Sequence, residues 1–283
     1  MKVAIIGANG QLGSDICREF SKTNHKIIEL LQDDIEVSSL QSVSKVMDAV
    51  RPDILINTAA YHQVDKCQEN PVRAFEVNAI GARNLAILAL KHNIYLIHIS
   101  TDYVFDGLKK KPYIETDRPV PLNVYGNSKL SGELFIESIA SRYVILRTCG
   151  LYGKNPCIDK GGLNFVDLMQ KLAKERTEVR VVDHEVLTPT STVELARQIV
   201  KISDSDLHGI CHATAEGYCS WYEFAEEIFR VKNIKTTLNV AGANEFPVKV
   251  PRPFYSVLEN KVLKTNKINT FKNWKEGLRE YLS

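Results

Sequence analysis

The sequence KVAIIGANGQLG, residues 2–13, joins a short apolar run to a loop that contains three glycines. The run at 2–6 is typical of a buried strand, and apolar residues at helical spacing follow from Gln11. Glycines between a strand and a helix leave backbone N–H groups bare at the positive end of the helix dipole, where a pyrophosphate can bind. The alternative is a tight strand-helix turn without a ligand. We interpret this stretch as a dinucleotide-binding loop.

Short β-branched runs alternate with amphipathic stretches through the rest of the first half. Besides 2–6, strands are predicted at 26–31, 54–57, 95–100 and 143–147, all of them fully buried, and helices at 11–23, 38–50, 70–92 and 123–138. Strands that alternate with helices imply right-handed crossovers into a parallel sheet. The predicted fold class is α/β, with a doubly wound parallel sheet of the Rossmann type.

The pattern loosens after Gly150, where a helix is predicted at 165–175, a strand at 178–182 and a helix at 193–203, followed by irregular pieces. Ligands of doubly wound sheets bind outside the carboxyl ends of the strands, so a C-terminal cap over that edge would enclose a substrate. We predict an NAD(P)-binding Rossmann domain at 1–150, to which 178–203 returns. A smaller C-terminal substrate-binding cap is predicted at 151–177 and 204–283.

The composition excludes several classes of protein. The 283 residues carry 36 Lys and Arg against 34 Asp and Glu, a net charge of +2, so no overall basic field indicates nucleic acid or a membrane as a partner. The six cysteines form no CxxC pair, which argues against a zinc site or a disulfide scaffold. No apolar stretch is long enough for a signal or a membrane span. We expect a cytoplasmic protein with reduced thiols and no metal site.

The turn after the second strand is where a dinucleotide-binding fold carries an acid for the adenosine ribose or an arginine for a 2′-phosphate. Residues 30–32 (LLQ) occupy this turn, and Asp33 and Asp34 lie just beyond it. Asp34, followed by Ile35, could instead flank the adenine. The residues alone leave the choice between NADH and NADPH open.

A strand-end threonine and a YxxxK pair indicate proton-transfer chemistry. Thr101 ends the fourth predicted strand, and Tyr125 and Lys129 share one helix face. An ammonium one turn from a phenol favours the phenolate and makes the tyrosine a workable acid or base, while Thr101 can hold a carbonyl that is being reduced. A YxxxK pair alone is also common on a solvated helix face, but the glycine loop and the STD strand end favour catalysis. Asn78, inside a predicted helix, is a further candidate.

Segments along nearly the whole chain resemble one family. The GxxGxxG spacing is similar to that of the short-chain dehydrogenase/reductase superfamily, and within it the chain resembles the dTDP-4-dehydrorhamnose reductase family. The segments that carry the resemblance are GANGQLG (7–13), RPDILINTAAYHQVDKCQ (51–68), HISTDYVFDG (98–107), YGNSK (125–129), RTCGLYG (147–153), TPTSTVELA (188–196), CSWYEFA (219–225) and RPFYSVLEN (252–260). STDYVFDG together with RPxYSVL is the most diagnostic combination.

The resemblance, added to the motifs, implies a set of site residues. The implied catalytic residues are Thr101, Tyr125 and Lys129. The implied sugar contacts are Val64, Asp102 and Tyr103. By position and residue type, Asn164 and Arg252 are candidates for the diphosphate of a sugar nucleotide. The expected cofactor-binding residues are Gly7, Asn9, Gly10, Gln11, Leu12, Gly13, Asp34, Ile35, Ala59, Ala60, Tyr61, Asn78, Ser100, Tyr125 and Lys129.

The implied reaction is reduction of the 4-keto group of dTDP-4-dehydro-L-rhamnose to dTDP-L-rhamnose by hydride transfer from NADPH or NADH, with NADPH favoured. The expected partner is a dTDP-linked 4-keto-6-deoxysugar, bound by a monomer or a homodimer. Two departures affect the sugar contacts: Gly150 stands where some members have Trp, and 183–187 reads DHEVL where the family usually has DQxGxPT. The segment 155–160 is an unfamiliar insert.

Two alternatives stay open. A 4-ketoreductase for another nucleotide-linked 6-deoxysugar, for example with a 6-deoxytalose product, would differ only in pocket contacts. A non-catalytic NADP-binding regulatory subunit, similar to that of methionine adenosyltransferase, would be expected to depart from the catalytic set, which is intact here. A dehydratase is not expected, because Tyr103 stands where dehydratases carry the glutamate of a TDE sequence.

Overall fold

The computed structural model describes residues 1–156, 162–242, 245 and 249–283. Its strands are β1 Lys2–Ile6, β2 Lys26–Leu30, β3 Ile54–Asn57, β4 Tyr95–Thr101, β5 Tyr143–Thr148, β6 Leu151–Tyr152, β7 Glu178–Val181, β8 Val186–Leu187, β9 Thr190–Ser191, β10 Gly209–His212, β11 Cys219–Ser220 and β12 Thr237–Val240. Its α-helices are α1 Gln11–Phe20, α2 Leu40–Val50, α3 Val64–Glu69, α4 Pro71–Phe75, α5 Gly81–His92, α6 Val124–Ile139, α7 Phe165–Glu175, α8 Thr192–Ser203, α9 Trp221–Val231, α10 Lys261–Thr265 and α11 Trp274–Leu282.

Six parallel strands form the central sheet in the order β10-β5-β4-β3-β1-β2. The chain adds strands on both sides of β1, which pairs with β2 and with β3. One face of the sheet is covered by α1 and α8, and the other by α2, α5 and α6, each with its own apolar core. This arrangement confirms the predicted doubly wound parallel sheet.

The edge strand β2 is only partly buried. Lys26 and Glu29 are exposed, and of its five residues only Leu30 is fully buried. The expectation that every predicted strand is fully buried is wrong here, because β2 has a neighbouring strand on one side only.

The predicted helix at 70–92 consists of three consecutive pieces. Pro71 begins α4, since proline lacks the N–H group that a continuous helix from α3 would need. A π-helical turn at Glu76–Ile80 then joins α4 to α5 and carries Asn78. Such turns are frequent at functional sites, and this one packs against α6.

The second half of the chain contributes to both parts of the molecule. The segment 178–203 is predicted to return to the Rossmann domain. Its helix α8 packs against α1, beside the central sheet. Its strand β7 pairs instead with β12, outside the central sheet. Strand β10 pairs with β5 in the central sheet, although 204–283 is predicted to form the cap. Its four residues, GICH, include only one β-branched residue, so no β-branched run marks this strand in the sequence. The division into two domains stays a prediction.

A third apolar core lies apart from the sheet, in the predicted cap. It is built around α9, which begins with a capping box between Ser220 and Glu223. Its fully buried side chains include Val166, Phe224, Ile228 and Leu278. The sequence analysis missed α9, although the apolar residues of 221–231 recur at helical spacing and Ser220 with Glu223 has the pattern of a capping box.

The described cysteines are free thiols: Cys17, Cys67, Cys149, Cys211 and Cys219. Cys157 and most of the unfamiliar insert 155–160 lie outside the described residues. Within the described ranges, none of the helices combines the length and apolar character needed to cross a membrane.

Candidate active site

A cleft of about 910 Å³ runs along the carboxyl ends of the central strands. The glycine loop, the strand ends and the start of α6 form one wall, and residues of α7, α9 and 185–187 form the other. The predicted site residues that line it are Gly7, Asn9, Gly10, Gln11, Leu12, Gly13, Ile35, Ala59, Ala60, Tyr61, Val64, Ser100, Thr101, Asp102, Tyr103, Tyr125, Lys129 and Asn164. Asp34, Asn78 and Arg252 are not among the described residues that line it.

The glycine loop is shaped for close approach of a ligand to the backbone. Gly7 has φ +77°, a left-handed conformation that favours glycine, and a Cβ on Gly13 would lie 2.0 Å from the Gly7 carbonyl oxygen. Gly10 precedes α1 without a side-chain cap, so the first N–H groups of that helix have no side-chain acceptor there, and residues 10–13 line the cleft. The loop therefore fits the pyrophosphate of a dinucleotide.

The end of the cleft beyond β2 differs from the sequence prediction. The Asp34 carboxylate accepts a hydrogen bond from the Leu31 N–H at 2.8 Å, within its own turn. Glu36 lines the cleft instead, together with Arg73 from α4. The sequence analysis missed both residues. It considered only residues 30–35 for this end of the cofactor, and no local pattern indicates that Arg73 of α4 lies near them.

Asn78 connects two segments of the site without lining the cleft. Its side chain accepts from the Tyr61 N–H and donates to the Tyr61 carbonyl, both at 2.9 Å, and it donates to Ser128 Oγ of α6 at 2.9 Å. This buried amide therefore fixes the loop after β3 relative to the helix that carries Tyr125. A cofactor-binding role for Asn78 would be indirect, through Tyr61.

Thr101 and Tyr125 both line the cleft, and the Thr101 hydroxyl donates to Asp102 Oδ1 at 3.0 Å. Asn123 caps α6 by accepting from the Gly126 N–H at 2.9 Å, and Gly126 lets the helix start close to the backbone of Tyr103. Burial raises the pKa of Tyr125 well above its usual range, which the contact with Thr101 partly opposes. In this structure Tyr125 is therefore a protonated phenol, and the predicted acidifying effect of Lys129 does not dominate.

Lys129 is buried against β4. Its Nζ donates to the Ile99 carbonyl at 2.6 Å and lies 3.3 Å from His98 Nε2. Burial lowers the pKa of Lys129 to about 8, although the nearby Glu133 carboxylate favours the charged form. Lys129 therefore loses its proton at a lower pH than an exposed lysine does.

His98 explains part of this environment. The Asn57 side chain accepts from the Ala59 N–H at 3.1 Å, so its amide N–H group faces His98 Nδ1 at 3.0 Å. Nδ1 then accepts, and the neutral ring carries its proton on Nε2, directed at Lys129. Burial lowers the pKa of His98 well below its usual range, which keeps the ring neutral. The sequence analysis did not single out His98, because no local pattern indicates its contact with Lys129.

A buried ion pair locks α6 to the central sheet beneath the site. Arg147 Nη2 of β5 donates to Glu133 of α6 at 2.6 Å, and the Ser100 hydroxyl of β4 also donates to Glu133. The Ser100 hydroxyl is therefore already used, although the residue lines the cleft as predicted.

Asp102 and Tyr103 lie beside the catalytic pair. Burial raises the pKa of Asp102, while hydrogen bonds from Cys149, Ser256 and Thr101 oppose the rise. The Tyr103 ring meets the Tyr125 ring edge-on, with centroids 5.7 Å apart. Both residues face the cleft, where the resemblance places the sugar.

The two candidates for the diphosphate differ in what they can still bind. Asn164 caps α7, and its amide donates to the Gly153 carbonyl at 2.9 Å, so its polar atoms are already used. Arg252 is not among the cleft-lining residues, but its neighbour Pro253 is. Arg252 Nη2 lies 3.5 Å from Asp65 Oδ2. Among the described residues nothing accepts from the buried Arg252 Nε. Arg252 thus retains an available donor, and Asn164 does not.

The chain matches the family model described as RmlD substrate binding domain over residues 1–283. It is 37% identical over 281 residues to the spore coat polysaccharide biosynthesis protein SpsK of Bacillus subtilis (strain 168), covering 99% of this chain and 96% of that protein. A dTDP-4-dehydrorhamnose reductase structure from Clostridium acetobutylicum ATCC 824 is 41% identical with a TM-score of 0.95, covering 100% of this chain and 98% of that one.

A second solved structure, dTDP-4-dehydrorhamnose reductase from Bacillus anthracis str. Ames in complex with NADP, is 37% identical with a TM-score of 0.94. It covers 99% of this chain and 98% of that chain. Similarity of sequence and structure thus extends from end to end. The chain belongs to the dTDP-4-dehydrorhamnose reductase family, whose model is the RmlD substrate binding domain, within the extended short-chain dehydrogenase/reductase superfamily.

Proposed function

We propose that this chain is an NADPH-dependent reductase that converts dTDP-4-dehydro-L-rhamnose to dTDP-L-rhamnose. The observation that carries the proposal is that Thr101, Tyr125 and Lys129 line one cleft together with the glycine loop. The full-length relatives named dTDP-4-dehydrorhamnose reductase support it, and one of them binds NADP.

The residues divide the work of the reaction as follows. Backbone N–H groups of the glycine loop bind the pyrophosphate, and when bound the reduced nicotinamide supplies the hydride that C4 of the sugar receives. Thr101 and Tyr125 hold the 4-keto oxygen between their hydroxyls. Tyr125 donates its proton to that oxygen as it becomes an alkoxide, and the raised pKa of Tyr125 keeps this proton in place until then.

Lys129 acts after the proton has left. Its ammonium stabilises the phenolate of Tyr125 and contacts the nicotinamide ribose, as the resemblance implies. Nζ donates to the Ile99 carbonyl in this structure, and an ammonium has three N–H groups, so further donors are available for both roles. Asp102, Tyr103 and Val64 border the sugar.

The wall around Gly150 favours a second candidate, a 4-ketoreductase with a different product stereoisomer. Gly150 has φ +57°, a left-handed conformation that favours glycine, and a Cβ there would lie 3.1 Å from the Thr188 carbonyl oxygen, so the tryptophan of some relatives would be strained on this backbone. The sugar contacts on this side must therefore differ from those relatives. The cytoplasmic location and the monomeric or homodimeric state remain predictions.

One assay tests the proposal and its alternatives. Purified protein is incubated with NADPH and dTDP-4-dehydro-L-rhamnose, NADPH oxidation is followed by absorbance, and the product is identified by NMR. We expect dTDP-L-rhamnose. A 6-deoxytalose product would establish the second candidate, and bound NADPH without oxidation would support the regulatory-subunit alternative.

A further inference from the structure

His98 is a buried histidine that has no part in the proposed reaction so far. It lies in β4, and its two ring nitrogens have different neighbours. Nδ1 lies 3.0 Å from the side-chain nitrogen of Asn57 in β3, and Nε2 lies 3.3 Å from Lys129 Nζ. The imidazole therefore connects a buried amide of the sheet to the lysine of the catalytic set.

Asn57 determines which ring nitrogen of His98 carries the proton. The Asn57 amide oxygen accepts from the Ala59 N–H at 3.1 Å, so the amide N–H group faces Nδ1. A neutral imidazole has one donor and one acceptor nitrogen, so Nδ1 accepts and the N–H group at Nε2 faces Lys129. The opposite tautomer would require a reversed Asn57 amide, whose nitrogen would then oppose the Ala59 N–H.

The N–H group of His98 distinguishes the two protonation states of Lys129. An ammonium has only donors, so it and the His98 N–H group oppose each other, whereas an amine has a lone pair that can accept from His98. The Ile99 carbonyl, 2.6 Å from Nζ, accepts from both forms. Lys129 is 2% exposed, so solvent screens these contacts little.

The charged groups around Lys129 do not cancel this preference. Glu133, one turn further along α6, favours the ammonium, but its carboxylate already accepts from Arg147 of β5 at 2.6 Å. Burial still lowers the pKa of Lys129 to about 8. Tyr125, one turn earlier on α6, adds no charge, because burial raises its pKa and keeps the phenol protonated.

We infer that Asn57 and His98 are positioning residues that set the pH range of the reductase: Asn57 fixes the tautomer of His98, and the His98 N–H group favours the uncharged form of Lys129. The inference rests on the proposed function, in which the ammonium of Lys129 stabilises the phenolate of Tyr125. The rate therefore falls when Lys129 loses its proton. Asn57 and His98 place this alkaline limit at a lower pH than burial alone would give.

Two substitutions can turn an acceptor toward Lys129. The carboxylate of Asn57→Asp accepts from the Ala59 N–H and from a proton on Nδ1, so Nε2 of His98 becomes an acceptor. His98→Gln places a side-chain amide there, whose oxygen can turn toward an ammonium. The measurement is the pH profile of kcat/KM for dTDP-4-dehydro-L-rhamnose at saturating NADPH. We expect the alkaline limb to move up by about one pH unit in both variants, the scale of one hydrogen bond to a charged group.

The double variant separates the tautomer from the charge of the new carboxylate. When Asn57→Asp is added to His98→Gln, we expect little further shift of the alkaline limb, because no imidazole remains to change tautomer. An equal shift in the presence and absence of His98 would show that the carboxylate acts directly on Lys129, and would overturn the role of the tautomer.

His212→Gln is the matched control. His212 is also a buried histidine that burial keeps neutral, with its pKa lowered to about 3, and its Nδ1 lies 3.1 Å from the Tyr113 carbonyl oxygen. It is not among the described residues that line the cleft. The variant therefore removes a buried imidazole and keeps the alkaline limb of the parent protein.

Urea unfolding between about pH 7 and pH 9.5 gives a second readout that does not need the sugar. The gain in stability of the parent protein over this range shrinks in Asn57→Asp and in His98→Gln, because the pKa of Lys129 moves back toward its unfolded value. Unmoved alkaline limbs and an unchanged gain in stability in both variants would overturn the inference and leave the reductase assignment intact. A parent protein that oxidises no NADPH with the sugar would instead overturn the proposed function, and unfolding would still test the effect of His98 on Lys129.

Discussion

At the scale of single residues, the environment of Lys129 links the chemistry of the site to the stability of the protein. The side chain is fully buried between the Ile99 carbonyl and a neutral His98 whose N–H group faces it. Neither burial nor that N–H group favours an ammonium. The protein therefore loses stability by keeping this lysine charged, which is the form that the proposed reaction needs.

This leads to a pH-dependence of stability with a definite sign. The pKa of Lys129 is lowered from 10.5 to about 8 in the folded protein, so between these values the unfolded chain binds more protons. The free energy of unfolding therefore rises with pH across this window, and the destabilisation is complete below about pH 8. We expect the parent protein to gain about 2 kcal/mol relative to Lys129→Met between about pH 7 and pH 9.5.

Urea unfolding of the two proteins at both pH values measures this difference. Lys91→Met serves as the control, because Lys91 is half-exposed and pairs with Asp48 on the surface. Its difference from the parent protein stays nearly constant over the same pH range. A constant difference for Lys129→Met as well would show that the folded protein does not disfavour the ammonium.

Sequence reasoning identified residues that carry a local motif more readily than residues brought together by the fold. The glycine loop, Thr101, Tyr125 and Lys129 could be recognised because their spacing along the chain is itself the signal. Glu36 and Arg73 are 37 residues apart, one in the loop between β2 and α2 and the other in α4, and only the fold brings them into contact. No local pattern predicts such a pair.

At the scale of elements, the start of α6 determines where Tyr125 lies. Asn123 accepts from the Gly126 N–H at 2.9 Å, and its own amide donates to the Pro251 carbonyl at 2.9 Å, so one side chain caps the helix and ties it to the segment before Arg252. The cap therefore affects both the stability of α6 and the position of the phenol.

Asn123→Ala is expected to lower the free energy of unfolding by about 1–2 kcal/mol, the usual effect of losing a buried cap, and to lower kcat several-fold. Chemical unfolding and steady-state kinetics give the two quantities. Ser39→Ala is the matched control, since Ser39 caps α2 by accepting from the Ser42 N–H at 3.2 Å. It should lose about 1 kcal/mol with kcat unchanged. If both variants retain the parent kcat, the cap of α6 is structural only.

The elements of the first half could be predicted because strand and helix alternate there with clear periodicity. The exceptions have local causes, such as the interruption at Pro71 and the exposure of the edge strand β2. In the second half, β10 reaches the central sheet through a pairing with β5 that spans more than 60 residues of chain. Long-range pairing of so short a strand leaves no signal in the sequence.

At the scale of the whole molecule, the central sheet and the predicted cap line one cleft, which contains all parts of the proposed reaction. The glycine loop and the Glu36–Arg73 pair lie toward the nucleotide, the Thr101–Tyr125 pair lies at the strand ends, and Phe165 and Trp221 from the cap line the opposite wall. One cleft thus contains the residues proposed for the dinucleotide, for the sugar nucleotide and for the proton transfer. The proposed reaction depends on Tyr125 donating its phenolic proton to the 4-keto oxygen.

Tyr125→Phe tests this claim most directly, because it removes the phenolic proton and keeps the ring. We expect the rate of reduction of dTDP-4-dehydro-L-rhamnose to fall by on the order of 10²-fold or more, with the affinity for NADPH largely intact. Tyr218→Phe, at an exposed tyrosine outside the described cleft wall, should retain the parent rate. A folded Tyr125→Phe protein that reduces the sugar at nearly the parent rate would contradict the account.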